Sequence, residues 1–132
     1  MRVLVCGGRH FGMTGYHDSD LDKIRAIRQQ RLFDDTMTNI VVGNGKITEI
    51  IHGGAKGADR LAQLWAWKYQ VKTNVFIANW GTQGHAAGPI RNQRMLDIGQ
   101  PELVIAFPGG RGTADMVRRA KAAGVRVVEV TE

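Results

Sequence analysis

The sequence predicts an α/β fold: a single Rossmann-like, doubly wound domain with a mostly parallel five-stranded sheet and helices on both faces. Three observations predict it. Short apolar runs of strand length alternate with segments whose apolar residues recur every three or four positions. A glycine turn follows three of those runs, at Cys6-Gly7-Gly8-Arg9, at His52-Gly53-Gly54-Ala55-Lys56-Gly57-Ala58-Asp59 and at Phe107-Pro108-Gly109-Gly110-Arg111-Gly112-Thr113. A chain of 132 residues can cover a sheet on both faces and is too short for a separate catalytic domain, so residues 1–132 form one domain. Strands alternating with helices imply parallel strands joined by right-handed crossovers, and the best order places the first strand centrally.

The elements follow in order. Arg2–Cys6 is the first strand, and Gly7–Asp18 is a loop rich in Gly and His. Ser19 or Asp20 caps a helix running to about Asp34, with Leu21, Ile24 and Ile27 marking its apolar side. Asn39–Val42 and Ile47–Ile51 flank Gly43-Asn44-Gly45, which suits either a hairpin near residues 39–51 or a loop into the second core strand, Ile47–His52. Ala58–Tyr69 has helical spacing, with Trp65 on its apolar face. Lys72–Ile77 is the third strand and Ala78–Gly88 a loop carrying Trp80 and His85. Pro89 opens a helix to about Ile98, Glu102–Phe107 is the fourth strand, Thr113–Ala123 a helix stopped by Gly124, and Val125–Val130 the last strand. No repeat, low-complexity tract or linker interrupts this pattern.

Composition narrows the function. The apolar fraction of 43% opposes disorder, and no stretch approaches a membrane span. The N-terminal residues lack a signal peptide's apolar core, and a single cysteine excludes an internal disulfide and suits a reducing cytosol. The net charge of +6 favours anionic partners, nucleic acid included. Lys23, Arg25, Arg28 and Arg31 on one helix, and Arg118, Arg119 and Lys121 on another, read as solvated faces. Arg9, Lys56, Arg91, Arg94 and Arg111 differ, because they lie in or beside the glycine turns and the Gly88–Met95 segment.

In doubly wound sheets ligands sit beyond the carboxyl ends of the strands, where all three glycine turns fall. A helix start offers unpaired N–H groups and a positive dipole end, and glycine lets a phosphate approach them. The Gly53–Asp59 turn lacks the Gly-Lys-Ser/Thr of a P-loop and is not a Gly-x-Gly-x-x-Gly fingerprint. Its Asp59 suits either ribose hydroxyls or the helix dipole. Arg91 and Arg94 near a helix start suit bidentate phosphate contact, with Asn92 beside them. Trp80, after the third strand, suits stacking on a base or covering the rim of the core. His10, His17, His52 and His85 lack zinc-site spacing, and no metal site or cofactor motif is present. Cys6 reads as a buried structural thiol.

Pro108-Gly109-Gly110-Arg111-Gly112-Thr113, with Arg91 and Met95 upstream, resembles the SLOG superfamily, which unites the "lonely guy" (LOG) phosphoribohydrolases and the DNA-processing protein A family. The His52–Asp59 turn, Trp80, Gly88-Pro89-Ile90-Arg91-Asn92 and Ala106–Gly110 look like its YspA-type branch, found in bacteria and phages. The likeness spans nearly the whole chain except the stretch around Asp34–Lys46. It implies a Rossmann-like fold and a nucleotide or nucleotide-derived ligand, in a bacterial or phage-infected cytoplasm. LOG enzymes hydrolyse the bond between base and ribose 5-phosphate through the motif Pro-Gly-Gly-x-Gly-Thr-x-x-Glu and an upstream arginine. Arg91 matches that arginine, whereas Met116 stands in the glutamate's place. Asp115, its neighbour, is the candidate carboxylate for the positive charge that builds on the sugar, or else a residue placed by the helix dipole.

Two ligand-binding classes of function therefore stand at this point, beside a third, a phage- or host-factor adaptor that kept the fold and lost the ligand, against which Arg91 and the glycine turns argue. One is a nucleotide-binding protein whose site comprises Gly7–Arg9, Gly53–Asp59, Gly88–Arg94 and Pro108–Thr113, either hydrolysing an N-glycosidic bond through Asp115 and Arg91 or sensing a nucleotide without turnover. The other is a nucleic-acid binder of the DNA-processing type. Pairing of copies through helices, common in related folds, is compatible with both.

Overall fold

β1 (Arg2–Cys6) takes the centre of the sheet because both of its faces are apolar: Val3 and Val5 enter one core layer, Leu4 and Cys6 the other. A computed structural model describes residues 1–132. With β2 (Glu49–His52), β3 (Lys72–Val75), β4 (Leu103–Ala106) and β5 (Arg126–Glu129), the sheet runs β3-β2-β1-β4-β5. Every pairing is parallel. The order reverses between β1 and β4, which opens a crevice at their carboxyl ends.

α1 (Asp20–Asn44) and α2 (Ala58–Lys68) cover one face, packing Phe33, Met37, Ile40, Ala62 and Ala66 on Val3, Val5, Ile50 and Ile105. α4 (Ala87–Asp97) and α5 (Arg111–Ala122) cover the other, packing Met95, Leu96, Met116 and Val117 on Leu4, Ile51 and Val104. A short α3 (Trp80–Gln83) and a 3-10 turn (Gly84–Ala86) lead into α4. They occupy what the sequence suggested was loop. No helix is long and apolar enough to cross a membrane.

The expected hairpin near residues 39–51 is absent, because α1 continues ten residues beyond Asp34. Ile40 is buried in the core, and that packing overrides the strand preference of Asn39–Val42. The helix ends at Gly45, whose φ of 93° disfavours other residues and whose N–H donates to the Val41 carbonyl at 2.9 Å. Its start is closed by Ser19 and Asp22 in a reciprocal capping box.

The apolar face expected for α1 is also corrected. Leu21, Ile24 and Ile27 are exposed, and the buried stripe is Ala26, Gln29, Phe33, Met37 and Ile40. A 25-residue helix spans about 37 Å, roughly twice the length of a five-residue strand. Ala26 is buried between Ile24 and Ile27, so Leu21, Ile24 and Ile27 are exposed because they lie on the side of the helix opposite the buried stripe, where no other layer covers them.

Candidate functional site

The three glycine turns meet backbone to backbone. Gly8 donates its N–H to the Pro108 carbonyl at 2.9 Å and accepts from the Ala58 N–H at 3.1 Å. Such close approach leaves no room for side chains. A Cβ on Gly8 would stand 2.9 Å from the Pro108 oxygen, and one on Gly109 would stand 2.7 Å from the Gly8 nitrogen. Gly57, at φ 75°, would press a Cβ on the backbone of Gly8 and Arg9. These glycines serve turn-on-turn packing. Gly110 and Gly112 differ, because a Cβ there would meet nothing within 4 Å.

The third turn is anchored below by Phe107, whose ring stacks on Phe33 at 4.8 Å and tilts against Phe11 at 5.2 Å. Above it α5 begins without a side-chain cap and with no acidic residue in its first turn. The N–H groups of Arg111, Gly112 and Thr113 donate to no protein atom. Arg111 forms no ion pair or hydrogen bond through its side chain. This helix start keeps both its open donors and its positive dipole end.

The second turn has the opposite character. Asp59 Oδ2 accepts from the Gly53 N–H at 3.2 Å and the Ala55 N–H at 3.1 Å. The Ala58 N–H is already bonded to Gly8. The protein's own carboxylate thus fills the place an anion would take at this turn. Burial pushes the Asp59 carboxyl above its ordinary range, against the opposing influence of the Ala55 amide, His52, the Arg91 charge and the Gly53 amide. His52 is buried and satisfied. Its Nδ1 accepts from the Gly54 N–H at 3.0 Å, so Nε2 carries the proton given to Gln63 Oε1 at 2.6 Å.

Arg91 bridges from α4. Its Nη1 donates to the Gly53 carbonyl at 2.9 Å and its Nε to Asn92 Oδ1 at 3.1 Å, which leaves Nη2 without a protein partner. Burial lowers the Arg91 pKa, Asp59 opposes that shift and the nearby Arg9 adds to it. A Cβ on Gly53 would strike the Arg91 guanidinium, so that glycine makes room for the arginine. Cys6, beneath, is pushed up to about 12 by burial and by the Asp59 charge, with Arg91 opposing, and stays a thiol.

Asp115 is the fifth residue of α5, beyond the first turn where the helix dipole would favour it. It is buried, with both oxygens engaged: Oδ1 by Arg118 at 2.7 Å, and Oδ2 by Asn92 at 3.0 Å and Arg119 at 2.9 Å. Burial opposes its ionisation, but the Asn92 and Arg119 hydrogen bonds and the two arginine charges outweigh that and hold its pKa below the ordinary range. Met116 is fully buried in the core beneath β4.

These groups surround a cleft of about 1380 Å³ above the β1–β4 crevice. Of the residues singled out in the sequence, Gly7, Gly8, Arg9, Asp59, Trp80, Arg91, Asn92, Pro108, Gly109, Gly110, Arg111, Gly112, Thr113 and Asp115 line it. Gly53 and Gly57 are buried behind the wall, and Gly54 and Lys56 are exposed outside the cleft. Arg94 does not join Arg91: its guanidinium carbon lies 5.7 Å from the Phe76 ring centroid, away from the cleft. Trp80 is half exposed at the rim, with the Arg9 guanidinium 5.7 Å from its ring centroid.

Sequence reasoning missed Arg25, Gln29, Arg118 and Glu132, which also line the cleft. Arg25 and Gln29 are four apart on α1, a signal hidden by assigning the wrong face to that helix. Gln29 accepts from the Gly12 N–H at 2.8 Å and donates to Glu132 at 2.7 Å, so α1 joins the first loop to the end of the chain. No group of three or more His, Cys, Asp or Glu side chains is placed to hold a metal ion.

The model of the YspA, cpYpsA-related SLOG family matches residues 1–82. That stretch holds the first two glycine turns, Asp59 and Trp80, while Arg91 and the Pro108–Thr113 turn lie beyond it. The chain is also 38% identical over 86 residues to the Gene 61 protein of Mycobacterium phage D29, a match covering 60% of this chain and 68% of that protein. No solved structure matches it. The family match covers more than half of the chain, and the fold built from it continues unbroken through β5, so this chain belongs to the YspA, cpYpsA-related SLOG family.

Proposed function

We propose that this protein binds a nucleotide-type phosphorylated ligand in the β1–β4 cleft, with its phosphate on the amides of Arg111, Gly112 and Thr113. One observation carries this: of the two glycine turns that start long helices here, only that of α5 keeps all three of its first N–H donors unpaired and carries no acid in its first turn, whereas at α2 the Ala58 N–H is taken by Gly8 and Asp59 supplies a carboxylate. Arg111, Arg9 and the free Nη2 of Arg91 add positive charge at the same mouth. The half-exposed face of Trp80 suits a base. Membership in a SLOG family points the same way.

The proposal is of binding rather than N-glycosidic hydrolysis. Asp115 has both oxygens held by Asn92, Arg118 and Arg119, and Met116 is shut in the core. That arrangement supports a bracket between α4 and α5, with no carboxylate free for the sugar from this helix.

The test is a panel of nucleoside mono-, di- and triphosphates with inorganic phosphate, reading melting temperature and released base in the same samples. Saturable binding raises stability by about 2.7 kcal/mol at a hundredfold excess over Kd. A shift without free base supports the proposal, free base restores the hydrolase, and no shift with any phosphate ends it. A polynucleotide ligand would instead show affinity falling steeply with salt.

A further inference from the structure

Asp59 has a structural duty that uses half of its carboxyl. Oδ2 accepts the Gly53 and Ala55 amides, and those two bonds fix the orientation of the group. Oδ1 has no partner. Every side-chain nitrogen or oxygen sealed from solvent in this protein does have one, so Oδ1 is open, and the side chain lines the cleft. The residue as a whole is only 7% exposed. An asparagine would serve the two amides equally well without burying an ionisable group. The turn alone does not require a carboxyl here.

The position of that free oxygen is informative. Gly8 is hydrogen-bonded on one side to Pro108, at the α5 turn, and on the other to Ala58, beside Asp59. A single residue therefore separates the two helix starts, a span on the order of 10 Å. That is the scale of a sugar with its phosphate. A fixed carboxyl oxygen without a protein partner at that range matches a sugar hydroxyl. No group of three or more His, Cys, Asp or Glu side chains is placed to hold a metal ion there. Arg9 and Arg91 line the same cleft and offset its repulsion of a phosphate.

We propose that Asp59 is the sugar-reading residue of the cleft, accepting a hydrogen bond from a ring hydroxyl of a ribose 5-phosphate unit and so selecting ribose over its deoxy forms. This rests on the phosphate site proposed above. A site built to bond a hydroxyl rejects the analogue lacking it, because its buried polar group is then left unpaired.

Calorimetric titration of the whole chain with ribose 5-phosphate, 2-deoxyribose 5-phosphate, 3-deoxyribose 5-phosphate and inorganic phosphate tests it. Ribose 5-phosphate is expected to bind at least about tenfold tighter than one of the deoxy sugars. Asp59→Asn keeps an oxygen for the two amides and is expected to shrink that ratio to about threefold or less, with the affinity for inorganic phosphate little changed. Equal affinity for all three sugars in the unmodified protein overturns the assignment and leaves the phosphate site standing. So does a preference that Asp59→Asn leaves intact. Absence of binding by every compound, inorganic phosphate included, removes the phosphate site and this proposal together.

Discussion

Asn92 donates one amide nitrogen to two acceptors on α5, Asp115 Oδ2 at 3.0 Å and the Gly112 carbonyl at 3.2 Å. A single buried side chain of α4 thus holds the helix start whose free amides face the cleft. Asn92→Ala should cost about 1–3 kcal/mol, because it leaves Asp115 short of a donor in a buried place. It should also weaken phosphate binding by loosening the α5 turn. Chemical denaturation and phosphate titration of the same variant check both effects.

Asp115 should give stability a defined pH dependence. Its folded pKa lies below the ordinary value, so its contribution is complete above about pH 4 and is lost as pH falls through the folded pKa. Asp59 is shifted the other way, so its contribution is present at low pH and is lost as pH rises through its raised pKa. The gap in unfolding free energy between the unmodified protein and Asp115→Asn is expected to narrow only below about pH 4. A gap unchanged down to about pH 2 would remove the ion pairs as its cause.

The two arginines on the proposed phosphate should separate in their effects. Arg111 makes no hydrogen bond or ion pair within the protein, so Arg111→Ala should weaken phosphate binding about tenfold with melting temperature unchanged. Arg91 holds the Gly53 carbonyl and Asn92, so Arg91→Lys should lower both affinity and melting temperature. Arg94→Ala, outside the cleft, should leave phosphate affinity unchanged.

Two glycines of similar sequence setting should respond oppositely to alanine. Gly57→Ala must fit a Cβ at φ 75° against the backbone of Gly8 and Arg9, and is expected to cost about 2 kcal/mol or more. Gly112 lies inside α5 with open space where a Cβ would stand, so Gly112→Ala should stabilise by about 0.5–1 kcal/mol. Denaturation midpoints of the two variants give the comparison directly.

The corrected face of α1 predicts a third contrast. Phe33→Ala should cost about 3–5 kcal/mol, since its ring is 1% exposed and stacked on Phe107. Ile24→Ala, 58% exposed on the side of α1 turned away from the core, should stay within about 0.5 kcal/mol. Equal losses would return Ile24 to the core.

Features that rest on neighbours along the chain were legible before folding. The alternation of strand and helix, the central place of Arg2–Cys6, the Ser19 cap and the glycine turns at strand ends are set by local pattern and steric need. Tertiary structure alone settled which face of α1 is covered, since Leu21, Ile24 and Ile27 are as apolar as the stripe that packs and differ only in lying on the side of the helix turned away from it. It decided that Arg91 turns into the cleft and Arg94 onto Phe76, although three residues separate them. It decided too that Asp115 is taken up by Asn92 and two arginines while Asp59 keeps an oxygen free. A side chain's freedom depends on which distant groups reach it, and the folded sheet brings those groups together across 20 to 40 residues of chain.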